Sequence, residues 1–243
     1  CHMGTRGSIT EPSVGDTVDV KGPLFYEFDE WRIQPRDNSD ITINGSGGGG
    51  DVYTCYEIQG QQADSPFEGQ IVSVTGIIVV GGDEYYHSQY AYAMIMDAGG
   101  GAWAGLTLFG NNVSTLNRGD SVTVTGEIQE YFSLTELSYP SSVVVHSTGH
   151  TLPTPEPLST VNVGQEQWES VLVSVSNVTV TEDDLGYGEW AVSDGSGDIR
   201  IDDLGDITYT PLVGDTFTEI IGVCWYSYDN FKIEPRDDSD LIN

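Results

Sequence analysis

Lysine is almost missing from this sequence. Lys21 and Lys232 are its only lysines, and 8 Lys plus Arg face 38 Asp plus Glu, a formal charge of −30 over 243 residues. A surface so poor in cations repels phosphate backbones and anionic lipid headgroups, which excludes binding to either through a basic patch. Cysteine is scarce as well, with 3 in all. Cys1 belongs to CHMGTRGS, residues 1–8, which reads as vector-derived and is left out of fold reasoning. Cys55 and Cys224 stand at non-equivalent places of the repeat described below, so no disulfide framework follows; they read as buried thiols, bridged only if the fold brings them together. There is no long apolar run, and so no transmembrane helix or membrane insertion. No leader sequence is visible either, which carries no information about export. Helix-period patterns are missing too. With 30 Gly and frequent Thr, Val and Tyr, the composition favours an all-β protein. Catalytic signatures are also lacking: no Gly-x-Ser-x-Gly, no His-Glu-x-x-His, no Cys-x-x-Cys. His87, His146 and His150 fall in loops or at a strand end. The chain therefore reads as non-enzymatic.

What the sequence does contain is a repeat. GDTFTEIIGVCWYSYDNFKIEPRDDSDL, from Gly214 to Leu241, is nearly matched by GDTVDVKGPLFYEFDEWRIQPRDNSDI, from Gly15 to Ile41. A weaker copy, GDSVTVTGEIQEYFSLTEL, runs from Gly119 to Leu137. An internal repeat defines the folding unit before any strand is assigned. The preceding halves also correspond. EQWESVLVSVSNVTV (166–180) matches DSPFEGQIVSVTGII (64–78), and EWAVSDGSGDIRIDD (189–203) matches AMIMDAGGGAWAGLTLFG (93–110). Each unit reads as a long strand kinked at a Gly or small residue, a loop, a strand, a Gly turn, a strand, a Gly-Asp turn, a strand, an aromatic loop and a strand. Five strands of this kind, the first bent to serve both sheets, describe an OB-type Greek-key barrel. An immunoglobulin-like sandwich needs about seven strands per unit, more than the spacing allows.

The expected organisation is two tandem OB-type barrels plus an N-terminal hairpin resembling half of a third. Residues 9–43 are that half-barrel, 44–51 a Gly-rich linker, 52–150 the first barrel, 151–165 a Pro-rich linker or a strap across a surface, and 166–243 the second barrel. A lone edge hairpin is marginal and is expected to pair with a neighbour.

The pattern YEIQG…SPFEGQIVSVTGIIV, then GDSVTVTGEIQEYFSLTEL, then LPTPEPLST…EQWESVLVSVSNVTV…GEWAVSDGSG, resembles the OB-fold segments of secreted bacterial extracellular nucleases and related cell-surface proteins. The resemblance covers most of residues 52–241. Its motifs are structural, and the family's separate nuclease domain is not found here, so no catalytic residue carries over. It implies a secreted or cell-surface setting and an accessory role beside the other domains of a larger protein.

Two kinds of side chain are candidates for binding. Carboxylates crowd three turns: Asp183 and Asp184, then Asp202 and Asp203, then Asp237, Asp238 and Asp240. Hard cations want several oxygens from a turning backbone, and calcium is the ion such loops would take, although none has EF-hand spacing. The excess of acid has two readings, a salty or divalent-rich extracellular medium or a set of cation sites, and the first is favoured. A simpler job is also open to the last cluster: Arg236 bridging Asp240 or Asp238 to lock the turn, as Arg36 would with Asp40. Aromatics are the second kind. Tyr85 and Tyr86 stand after the first strand of the first barrel, and Tyr131, Trp225, Tyr226 and Tyr228 stand between fourth and fifth strands. In OB folds these loops flank the ligand face, where rings stack on sugars or bases. With so much acid nearby, polysaccharide suits them better than single-stranded nucleic acid, which would need divalent ions. At least half of these rings are expected to serve as packing.

Overall fold

A computed structural model describes residues 17–27, 30–45, 51–87 and 90–243. Residues 1–8 and the centre of the Gly-rich linker lie outside that set. The described chain divides into two compact units, residues 1–50 and 51–243. In the first, β1 (Thr17–Val20), β2 (Leu24–Glu27), β3 (Glu30–Ile33) and β4 (Ile41–Gly45) form two ladders, β1 with β4 and β2 with β3, all antiparallel.

The second unit holds two closed barrels. Its first barrel is preceded by β5 (Val52–Tyr53) and α1 (Cys55–Gln59), then built from β6 (Ile71–His87), β7 (Tyr90–Met96), β8 (Gly105–Phe109), β9 (Ser121–Tyr131) and β10 (Leu134–Ser147). The strands run in the order β6-β7-β8-β10-β9, and a further β6–β9 ladder closes the ring. The second barrel is preceded by β11 (Glu156–Leu158) and α2 (Thr160–Val163). Its ring is β12 (Leu172–Gly186), β13 (Glu189–Ser193), β14 (Asp198–Ile201), β16 (Asn230–Glu234) and β15 (Thr216–Ser227), closed by β12–β15, with β17 (Leu241–Ile242) added beside β15. In both rings the third and fifth strands pair in parallel and the others antiparallel. This is the order 1-2-3-5-4-1, the tandem OB-type architecture that the repeat predicts.

The bend of the first strand has a visible cause. Ile71–Ile77 pairs with β9 and the rest of β6 with β7, so the strand turns from one sheet to the other at Gly76–Ile77. A Cβ on Gly76 would lie 2.5 Å from the Met96 carbonyl oxygen. Asn177 holds the same place in β12, in a left-handed conformation that Asn tolerates.

The Pro-rich stretch is a strap rather than a linker. Glu156, Pro157 and Leu158 pair in parallel with Val173, Ser174 and Val175, as Val52 and Tyr53 do with Ser73 and Val74. Each barrel therefore begins with a short strand and a one-turn helix. An Asp at the end of the second barrel strand ties that helix down: Asp97 accepts from the Cys55 and Tyr56 amides, and Asp194 from the Thr160 amide and hydroxyl. Asp194 also serves the turn that follows it, accepting the Ser196 amide at 2.8 Å. Cys55 and Cys224 are free, buried thiols directed at the carbonyls of Ile95 and Val163.

The repeat recurs in three dimensions. A Cβ on Gly22 would strike the Gln34 carbonyl, and a Cβ on Gly222 the Glu234 carbonyl, where a fourth strand crosses a fifth. After each fifth strand comes the same one-turn structure. Arg236 sends its backbone N–H (2.9 Å), Nε (2.7 Å) and Nη2 (2.7 Å) to Asp240, and Arg36 does the same with Asp40 at 2.8, 2.8 and 2.7 Å. Asp237 and Asp37 cap the turn by accepting from the amides of Ser239 and Ser39, each at 2.9 Å.

Candidate binding surfaces

The ligand face of an OB barrel lies on its second and third strands, between the loop joining strands 1 and 2 and the loop joining 4 and 5. In the first barrel, Ala91, Ala93, Ile95, Leu106 and Leu108 point into the core. Tyr92, Met94, Met96, Thr107 and Phe109 alternate outward, and the second barrel covers this face. Met94 and Met96 share a core cluster with Leu172, Val223 and Trp225. The Tyr92 and Trp225 rings meet edge to face at 5.2 Å. The Thr107 and Ser170 hydroxyls are 2.8 Å apart, and the Leu172 N–H points at the Met96 sulfur at 3.2 Å. A Cβ on Gly105 would fall 2.1 Å from the Ser170 carbonyl oxygen, so only Gly permits the approach. Polar ties surround this contact. Arg118 bonds Glu84 at 2.7 Å and Asp237 at 2.8 Å, and the Tyr85 hydroxyl donates to the Glu234 carbonyl at 2.6 Å. The sequence offered one signal for this burial: AYAMIM has no polar alternation, as a strand buried on both faces should not.

The corresponding face of the second barrel carries charge instead. Glu189 bonds both Arg200 and the buried Lys232, and Lys232 also reaches Asp202 at 2.8 Å. Burial alone would lower the Lys232 pKa, but the hydrogen bonds it donates to Asp202 and Glu189 outweigh it and raise the value. Beside this network lies an open cleft of about 210 Å³, lined by Asp183, Asp184, Glu189 and Asp203 around Trp190 and Tyr209. Burial, then the charge of Asp202, raises the Asp203 pKa.

The suspected cation ligands are thus divided. Asp183, Asp184 and Asp203 share the cleft, whereas Asp202 turns to Lys232. The turn of Asp237, Asp238 and Asp240 is structural. Asp240 is spent on Arg236, Asp238 accepts from Thr208 and Tyr209, and Asp237 from Ser239 and Arg118. Burial would raise the Asp237 pKa, but these donors draw it down to about 2. Oxygens already held by a guanidinium are poor ligands for a second cation. Among the described residues, no three His, Cys, Asp or Glu side chains converge as a metal cage.

The aromatic candidates divide as well. Tyr85 and Trp225 are buried in the seam between barrels and offer no exposed ring. Tyr226 is half-buried and meets Phe231 with tilted rings, 4.8 Å between centroids. The side chain of Tyr86 lies outside the described residues. Tyr131 and Tyr228 are exposed. Phe132, beside Tyr131 in the same loop of the sequence, is 79% exposed, and Tyr187, which the sequence did not single out, is 100% exposed. The turn between fourth and fifth strands is built alike in both barrels. Phe132 and Ser133 have φ of 51° and 65°, and Tyr228 and Asp229 have 50° and 60°. Both central residues are left-handed, as in a type I′ hairpin, but neither turn uses the Gly that this conformation favours. An aromatic ring sits at the first strained position each time, with Tyr228 90% exposed. Phe28 and Asp29, their counterparts in the N-terminal unit, lie outside the described residues.

No family model, no curated protein and no solved structure matches this chain. Among the described residues no helix is long and apolar enough to cross a membrane.

Proposed function

We propose that this chain is a non-catalytic, acidic accessory module of a larger secreted or cell-surface bacterial protein, a stiff spacer that holds a neighbouring domain in place. The observation that supports this reading is the covered face of the first barrel. The surface on which an OB barrel usually takes its ligand is spent on fixing one barrel to the next. The resemblance of residues 52–241 to segments of secreted nucleases supports an extracellular nuclease as the parent. The N-terminal unit fits the same role: Leu24 and Ile33 are exposed, whereas Cys224 and Ile233, at the matching positions of the second barrel, are buried. There the first and third strands provide the cover, so a three-stranded meander of a neighbouring domain is the partner that suits it. Two measurements test the proposal. Both barrels should unfold in one transition, and the chain should turn over neither DNA nor a phosphoester; two separate transitions, or turnover abolished by a single substitution, would overturn it.

A second reading rests on the strained turns. Left-handed non-Gly residues persist where the surroundings fix them, and they cluster at ligand clamps. Phe132 and Tyr228 would then grip a polysaccharide, or a single-stranded nucleic acid with calcium as bridge. The carboxylates left to draw calcium are Asp183, Asp184 and Asp203, which line the open cleft without converging as a cage of their own, so the ligand would have to complete the ion's shell. Retention on immobilised glycans and oligonucleotides, with and without calcium, decides this reading; it fails if Phe132→Ala and Tyr228→Ala leave retention unchanged.

A further inference from the structure

At the seam between the barrels stands a carboxyl group with no ion-pair partner among the described residues. Glu169, in the turn before β12, is 1% exposed. Its Oε1 accepts the Thr135 N–H at 3.0 Å. Its Oε2 has no hydrogen-bond partner among the described residues. Gln59, from α1 of the first barrel, is equally buried; its Nε2 donates to the Gly105 carbonyl at 3.0 Å, and its Oε1 is unpartnered too. The groups facing Glu169 are Glu166 from its own turn, Glu130 from β9, Thr135 from β10 and Gln59 from α1. The Cys224 thiol of β15 feels both Glu169 and Glu166. Behind them, Asp64 acts on Glu166 and Glu130, and Glu68 on Glu130. Lys, Arg and His are missing from this set. Thr135 joins the two barrels here, its N–H to Glu169 and its hydroxyl to Glu130 at 2.9 Å.

The Gln59 side chain reaches Glu169 through its amide, which favours the ionised form, yet Glu169 Oε2 and Gln59 Oε1 are both left as buried acceptors without a partner. Two such oxygens satisfy each other only if one carries a proton. An ionised carboxylate here would also face Glu166 and Glu130 without a counter-ion. We propose that Glu169 is held as the neutral acid, its Oε2 proton donated to Gln59 Oε1, and that this bond is a latch between the barrels that opens when the proton leaves to solvent. Burial, then Glu166 and Glu130, pushes the Glu169 pKa well above the usual carboxylate value, against the hydrogen bonds of Thr135 and Gln59, which lower it. The sign follows. A carboxyl that binds its proton more tightly folded than unfolded adds stability at low pH, and that contribution is lost as pH rises through the folded value. The seam is therefore closed in mild acid and loosened in mild alkali, whether or not the module carries a ligand.

The test compares the whole chain with Glu169→Gln, whose amide can donate to Gln59 Oε1 at every pH. Amide exchange around Gln59 and Glu169, corrected for intrinsic rates, and Tm are read in mild acid and mild alkali. The wild-type seam should exchange faster and melt lower in alkali. Glu169→Gln should keep its acid-like protection there and narrow the difference in Tm. Glu166 and Glu136 titrate in both proteins, so the difference between proteins isolates Glu169. Gln59→Leu, which removes the acceptor, should weaken protection in acid. The latch is overturned if Glu169→Gln exchanges like wild type in alkali, or loses protection equally at both pH values. It is also overturned if calcium restores the alkaline wild-type seam but not the variant, because a cation rather than a proton would then fill the place.

Discussion

The turn closed by Arg236 and the turn closed by Arg36 are one structure in two environments. Hydrogen bonds to Asp240 and Asp40 agree within 0.1 Å. The Arg236 side chain is 8% exposed and that of Arg36 is 73% exposed. Arg236 lies against the first barrel, with Nη1 3.4 Å from the Val79 carbonyl, while Arg36 faces water. The comparison separates what the local sequence builds from what the surroundings make of it. In the exposed copy, the Arg36 guanidinium still holds Asp40 down at about 2 through its hydrogen bonds.

The largest effect expected is from Asp240→Ala. It strands a buried guanidinium and should cost about 3–5 kcal/mol in urea unfolding. Asp40→Ala returns Arg36 to water and should be seen only as faster amide exchange around residues 38–40. Equal global losses from the two would break the distinction.

Next comes the close approach of the barrels. Gly105→Ala drives a Cβ into the Ser170 carbonyl and should cost about 1–3 kcal/mol. Gly99→Ala, where a Cβ meets nothing within 4 Å, should change little in the same assay. A harmless Gly105→Ala would mean that the barrels are not held as described.

Acidity should sharpen the contrast between seam and turns. Burial raises Glu136 to about 7, and burial with Glu130 and Asp64 raises Glu166 to about 7. Their ordinary value is 4.5, so between 4.5 and about 7 the folded chain binds more protons than the unfolded one, and stability falls as pH rises through this window. The turn carboxylates Asp237 and Asp40, each held at about 2, work the other way and lose their contribution as pH falls from 3.8 towards 2. Tm against pH should therefore peak in mild acid. A peak near neutrality would contradict the buried carboxyls.

The smallest effect concerns the strained aromatic turns. Tyr228→Gly relieves a left-handed Tyr and should gain less than about 1 kcal/mol, because Gly also loses more backbone entropy on folding. If the turn grips a ligand, glycan retention falls while stability rises. A loss of stability would show that the ring's contact with the Lys232 ammonium, 5.9 Å from its centroid, outweighs the strain.

Much of the fold was legible because repetition is a sequence property. Gly22 and Gly222, Arg36 and Arg236, Asp40 and Asp240 recur with their neighbours, and each serves a contact within a few residues or across adjacent strands. Candidate binding residues were less legible. Tyr85 and Tyr131 look alike in sequence, yet one hydroxyl is buried against Glu234 and the other ring is exposed. Which of them meets water depends on where the second barrel sits. Glu169 aligns with the exposed Glu68, and nothing local marks it as a buried acid.

By itself, the sequence determined the units, the bends in their first strands and the Arg–Asp turns, because each follows from residues close along the chain or paired on neighbouring strands. Only the tertiary structure decided which barrel face is covered and which carboxyls leave water. Those outcomes depend on the docking of one closed surface against another, and burial is a property of both partners.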